Sequence, residues 1–260
     1  MQTLDVRVDE RGVAWLRLNR PDVHNAMNSE VIAELTEVAA RLGRDPAVRV
    51  VVITGTGASF CAGGDLGWMR EQMAADGPTR AREARGLAEM LGALDTMPKP
   101  LIGRIQGKAF GGGVGLMSVC DVAVGVDSAK FGLTEVRLGL IPATIGPYVV
   151  ARMGAARARR VFFSGRRFSA AEAVDLGLLA RAVPEADLDA EIEAEITPYL
   201  AAAPGAVAEG KALVATLGGS VGEAEVSATI DALVARWESD EASEGISAFF
   251  ERRAASWVDR

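Results

Sequence analysis

The run Val48-Arg49-Val50-Val51-Val52-Ile53-Thr54 is too apolar for a strand with one wet face and reads as a buried strand of the parallel type. A glycine-rich loop, Gly55 to Gly64, follows it and leads into helical segments from Leu66 to about Thr96. Upstream, Val13 to Asn19 reads as a strand. A turn at Pro21 and a helix from near Asn28 come next, with Val31, Leu35, Val38 and Leu42 at helical spacing. Downstream, Met97-Pro98-Lys99-Pro100 breaks the helix before a further apolar strand, Leu101 to Gln106. Gly107 to Gly113, a helix to Cys120 and a strand from Asp121 to Val126 extend the pattern. Strand and helix in alternation mark the crossover units of an α/β protein. From Gly146 the chain is mostly helical, with one strand-like piece at Leu178 to Val183. No linker separates these parts, so an α/β core, residues 1–197, is expected to continue into a helical region, 198–260, that opens at Pro198.

The 260 residues are 49% hydrophobic and 24% charged, with Lys+Arg 28 against Asp+Glu 35 and a net charge of −7. Area scaling gives roughly 11,000 Å² of folded surface against about 39,000 Å² for the open chain, so the core needs no staple. Two cysteines, Cys61 and Cys120, make no disulfide framework, and with the single His24 they make no zinc constellation. A reducing, cytoplasmic setting is expected. The N-terminus carries charges where a signal peptide needs an apolar run, and no stretch is long and apolar enough to span a membrane. The acidic balance argues against nucleic acid as a partner.

Three familiar patterns fail on single residues. Gly55-Thr56-Gly57-Ala58-Ser59-Phe60 has Phe60 where a dinucleotide loop needs its third glycine. Gly103 to Lys108 is one residue short of a P-loop, and Ala109 stands where Ser/Thr belongs. Gly218-Gly219-Ser220-Val221-Gly222 matches a nucleophile elbow, but the only histidine lies far upstream, so the match reads as a break between two helices.

Two other glycine-rich segments sit at strand-to-helix turns: Ser59 to Leu66 (SFCAGGDL) and Gly107 to Leu116 (GKAFGGGVGL). Unpaired N–H groups on two such turns facing each other could cradle an oxygen that becomes negative during reaction. Taken singly, each segment reads first as a tight turn that permits close packing.

Together with Leu18-Asn19-Arg20-Pro21, Asn25-Ala26-Met27-Asn28, Phe131 to Pro142, Ser164 to Ala170 and Gly245 to Arg253, these segments resemble the enoyl-CoA hydratase/isomerase (crotonase) family nearly end to end. The resemblance implies a spiral of ββα units whose C-terminal helices build a homotrimer, often paired into a homohexamer. It implies an acyl-CoA thioester as substrate, coenzyme A being part of that substrate and no other cofactor or metal being needed. By position it places the oxyanion N–H groups on Ala62 and Gly112, acyl-CoA contacts along Ala62, Gly63, Gly64 and Asp65, with Ala26 in the N-terminal signature, and a catalytic glutamate at Glu135. Read without the family, Glu135 is either a solvated loop charge or a carboxylate whose apolar neighbours raise its pKa.

One residue departs from the family pattern. Where hydratases of this family carry a second glutamate, this chain has Gly115. A single glutamate still serves a Δ3-Δ2 enoyl-CoA isomerase, or a hydratase in which one carboxylate handles the water. A third reading keeps only acyl-CoA binding. The pattern Ile141-Pro142-Ala143-Thr144-Ile145-Gly146-Pro147-Tyr148 resembles the branch handling 3-methylglutaconyl-CoA and favours hydration. Glutamate introduced at 115 is expected to raise hydration if the backbone there accepts a Cβ. Asp65 reads first as a helix N-cap, and Asp121 as structural. Trp68, Met69 and Met73 are acyl-pocket candidates, though such a stripe is also ordinary core. His24 reads as an exposed loop side chain, and Arg157, Arg159 and Arg160 as a solvated helix face.

Overall fold

The computed structural model describes residues 1–218 and 221–257; Gly219 and Ser220 of the elbow-like match lie outside them. A hairpin, β1 (Leu4–Val8) and β2 (Val13–Leu18), leads through α1 (Ser29–Arg44) to β3 (Val50–Gly55) and β4 (Ser59–Cys61). Helices α2 (Leu66–Ala74) and α3 (Gly77–Asp95) return the chain to β5 (Leu101–Ile105) and β6 (Lys108–Phe110). After α4 (Gly112–Ser118) come β7 (Val122–Val126) and β8 (Lys130–Gly132). A 3₁₀ turn, Glu135–Leu138, precedes α5 (Gly146–Met153), α6 (Ala155–Phe162), β9 (Arg167–Ser169), α7 (Ala170–Asp175) and β10 (Arg181–Val183). Four helices end the chain: α8 (Leu188–Ala201), α9 (Pro204–Gly218), α10 (Glu223–Trp237) and α11 (Asp240–Glu251).

Each turn of the spiral gives a longer strand to one sheet and a three-residue strand to another. The six-stranded sheet has order β1-β2-β3-β5-β7-β10 and the four-stranded sheet β4-β6-β8-β9. Parallel pairing of β2, β3, β5 and β7 requires the chain to return on the outside between strands, which the helices do. Every residue of β3 is buried, as its composition predicts. Helix α1 lays Val31, Leu35, Val38 and Leu42 against the core, and Asn28 caps it by accepting from the Val31 N–H at 3.0 Å.

The structure corrects three expectations. The strand-like piece at Leu178 to Val183 is a strand only over Arg181–Val183. β1 and the three-residue strands of the four-stranded sheet were not expected. Pro198 lies inside α8, whose buried Leu188, Ile192 and Ile196 make that helix part of the core, so the chain breaks after Ala201 and the helical tail starts with α9. In that tail α10 packs on α3, and α11 packs on the Glu135–Leu138 turn.

Candidate active site

The first glycine-rich loop is held from the N-terminal side. Asn25, buried in a left-handed conformation (φ 56°), donates from Nδ2 to the carbonyls of Thr56 (2.9 Å) and Ser59 (2.8 Å). Arg20 donates to the Ala26 carbonyl at 2.5 Å and to Asp65 Oδ2 at 2.9 Å. The Met27 N–H donates to Gly63 O and the Asp65 N–H to Met27 O, both at 2.8 Å, forming a parallel bridge between Met27 and Gly64. In such a bridge Gly63 O and Asp65 N–H face Met27, so the Gly64 N–H faces the other way.

That geometry overturns one assignment. The Ala62 N–H donates to the His24 carbonyl at 3.0 Å and is not available to a substrate oxygen. Two residues later the Gly64 N–H has no protein acceptor among the described residues, which makes Gly64 the candidate donor in place of Ala62. Gly112 opens α4 and its N–H also lacks a protein acceptor among the described residues, whereas Val114 and Gly115 both donate to Gly111 O. The two loops touch: a Cβ on Gly63 would lie 3.9 Å from the Gly111 Cα.

The three consecutive glycines have different reasons: Gly111 its positive φ, Gly113 the backbone it meets, and Gly112 the end of the Met27 side chain beside it. A Cβ on Gly111 (φ +49°) would meet Glu135 Oε1 at 3.0 Å, one on Gly112 would meet Met27 Cε at 2.1 Å, and one on Gly113 would meet the Cys61 carbonyl at 2.3 Å. Glu135 therefore lies against the second loop. It starts the 3₁₀ turn that Gly139 (φ +72°) closes in the left-handed region. Its Oε2 is buried with no hydrogen-bond partner among the described residues, and burial pushes the carboxyl up to about 7. The loop-charge alternative is thereby excluded.

A cavity of about 500 Å³ joins these groups, with Gly64, Gly112, Glu135 and Met27 on its wall and Trp237 and Phe249 closing it from the C-terminal helices. Ala62, Gly63, Trp68 and Met69 also line it; Ala26 and Asp65, expected among the substrate contacts, do not. Ala26 instead gives its carbonyl to Arg20. Asp65 caps α2, accepting from the N–H groups of Gly67 (2.8 Å) and Trp68 (3.3 Å). Partial burial opposes its ionisation, but those hydrogen bonds and Arg20 outweigh it and hold the carboxyl below its ordinary value. Met73 packs beside Leu140 and Ile246. Asp121 is structural, pairing with Lys211 at 2.7 Å.

The position of the missing second carboxylate is filled. A Cβ on Gly115 would lie 2.7 Å from Ile145 Cγ2 and 3.1 Å from Ile145 Cβ, so the backbone does not accept a glutamate there without displacing Ile145. The condition set for Gly115→Glu, a backbone that accepts a Cβ at 115, is thus not met while Ile145 stays in place. Sequence reasoning gave no role to Arg20, Asn25, Thr144 or Ile145. For Asn25 a signal existed, since Asn tolerates the left-handed region in a turn before a helix.

Residues 9–260 match the family described as enoyl-CoA hydratase/isomerase. The chain belongs to this family. A crotonyl-CoA hydratase of Syntrophomonas wolfei is 31% identical over 254 residues, 96% of each chain. A probable enoyl-CoA hydratase of Mycobacterium tuberculosis is 34% identical over 267 residues, 100% of this chain and 99% of the relative. Among solved structures, an enoyl-CoA hydratase from Mycobacterium avium matches with a TM-score of 0.88 at 32% identity over 99% of both chains. Another, from Shewanella pealeana, matches with a TM-score of 0.80 at 36% identity over 98% of this chain and 96% of that one. As an enoyl-CoA hydratase/isomerase family member, the chain has, among the described residues, one acidic group on the wall of this cavity, Glu135, and an isoleucine beside the glycine at 115.

Proposed function

We propose that this protein hydrates a 2-enoyl-CoA thioester with Glu135 as its only acid/base carboxylate. The observation that carries the reading is the meeting, on one cavity, of a buried carboxylate without a partner and two backbone N–H groups without acceptors. Glu135 takes a proton from water as the water oxygen bonds to the substrate Cβ. The double-bond electrons pass to Cα and the thioester oxygen, which the Gly64 and Gly112 N–H groups hold, at about 3 to 4 kcal/mol per donor. The proton then moves from Glu135 to Cα. A carboxyl near 7 is matched to both transfers.

A branched substrate such as 3-methylglutaconyl-CoA is the finer reading, supported by the Ile141 to Tyr148 pattern and by Arg137 and Arg167 on the cavity wall, which suit a distal carboxylate. The second reading, double-bond isomerisation, is favoured by the absence of a carboxylate at 115. Assays with crotonyl-CoA, 3-methylglutaconyl-CoA and a 3-enoyl-CoA separate them. Loss of enoyl absorbance with the first two is expected, and activity with the 3-enoyl thioester alone would replace hydration by isomerisation.

A further inference from the structure

Two buried side-chain oxygens without a hydrogen-bond partner stand out among the described residues: Glu135 Oε2 and Thr144 Oγ1. Both residues line the same cavity, and Thr144 is 5% exposed. Buried hydroxyls are nearly always paired, so an unpaired one on a ligand cavity marks a place where a ligand or water completes it. The surrounding turn is firmly built: Ala143 donates to Ile141 O at 2.8 Å and Gly146 to Ala143 O at 2.9 Å, just before α5. Its next residue, Ile145, is the one that fills the space beside Gly115.

We propose that Thr144 is the second polar group on the attacking water, supplying through its hydroxyl what a second carboxylate would supply from position 115. Among the described residues no protein partner holds the hydroxyl, and a turn about Cα–Cβ from its buried position would aim it at a water in the cavity. Water has two protons to place. One goes to Glu135 as the C–O bond forms, and the other stays on oxygen, donated in a hydrogen bond to Thr144 Oγ1, which directs a lone pair at the substrate Cβ. Thr144 keeps its own proton throughout, so the step balances with Glu135 as sole carrier. The proposal rests on the hydratase reading and narrows it.

The test compares wild type, Thr144→Val, Thr144→Ser and Glu135→Gln on crotonyl-CoA and 3-methylglutaconyl-CoA, with thermal melts to check folding. Valine keeps the shape and removes the hydroxyl. Its kcat is expected to fall about 10- to 100-fold, the scale of one hydrogen bond to a group developing charge, with KM changed less than about threefold. Serine restores most of the rate. A Val variant with wild-type kcat, or a Ser variant no faster than Val, overturns the role of Thr144 while leaving the hydratase reading in place. A wild type that hydrates neither thioester overturns that reading, and the inference with it.

Discussion

At the scale of single residues, Glu135 has the most exposed consequences. Glu135→Gln keeps size and shape while removing the proton acceptor, so turnover should drop by about 10² to 10⁴ with acyl-CoA binding retained. Calorimetric titration with a substrate analogue and single-turnover rates check the two halves. The same burial has a cost in stability. Burial raises the carboxyl from 4.5 to about 7, so between those values the folded chain holds a proton that the unfolded chain has released. Stability contributed by this site therefore falls as pH rises through that window, by on the order of 3 kcal/mol at most. Glu135→Gln should gain on wild type in urea unfolding between pH 5 and pH 8; an unchanged difference would mean the carboxyl titrates normally. Asp65→Ala should lose about 1 to 2 kcal/mol as a lost N-cap while keeping the turnover of the folded fraction, since the carboxylate binds α2 and Arg20 rather than substrate. The glutamate and its apolar neighbours were legible in the sequence. The donor at 64 was not, because which of several adjacent N–H groups is free depends on a carbonyl, His24 O, brought in from another segment.

At the scale of elements, α11 holds the turn that carries Glu135. A Cβ on Gly245 would lie 2.6 Å from the carbonyl carbon and oxygen of Leu138, and one on Gly139 would meet the Glu241 carbonyl at 2.4 Å. The helix and the turn are in backbone contact, and Arg236 on α10 also donates to Gly139 O. Gly245→Ala is expected to cost about 1 to 3 kcal/mol by overpacking and to lower kcat more than it raises KM, because the displaced element carries the base. Steady-state kinetics beside a denaturant melt test this, and a variant that only melts earlier would limit α11 to a stabilising role. Gly115→Glu alone should destabilise for the same steric reason, and pairing it with Ile145→Ala should recover folding. Helix α1 and strand β3 were readable in advance from spacing and composition. The three-residue strands of the second sheet were not, since their pairing depends on neighbours one turn of the spiral away.

At the scale of the whole molecule, α9 buries none of its residues and leaves Leu213, Val214 and Leu217 at 57%, 70% and 78% exposure. Apolar side chains in one run of helix fit the trimer that the family resemblance implies, and light scattering at micromolar concentration should give three or six chain masses. A monomer mass would contradict it. The sequence by itself determined the alternation of buried strands and amphipathic helices, the two glycine loops, the glycine at 115 and a glutamate at 135 among apolar neighbours. These follow from hydrophobic period and residue type, which act over a few neighbouring positions. Only the tertiary structure decided that the Ala62 N–H is taken by His24 O while that of Gly64 has no acceptor among the described residues, that Ile145 occupies the space beside Gly115, that Pro198 stays within a core helix, and that Thr144 shares a cavity with Glu135. Each of those depends on which groups from distant segments arrive within bonding or contact distance, and local sequence does not encode that.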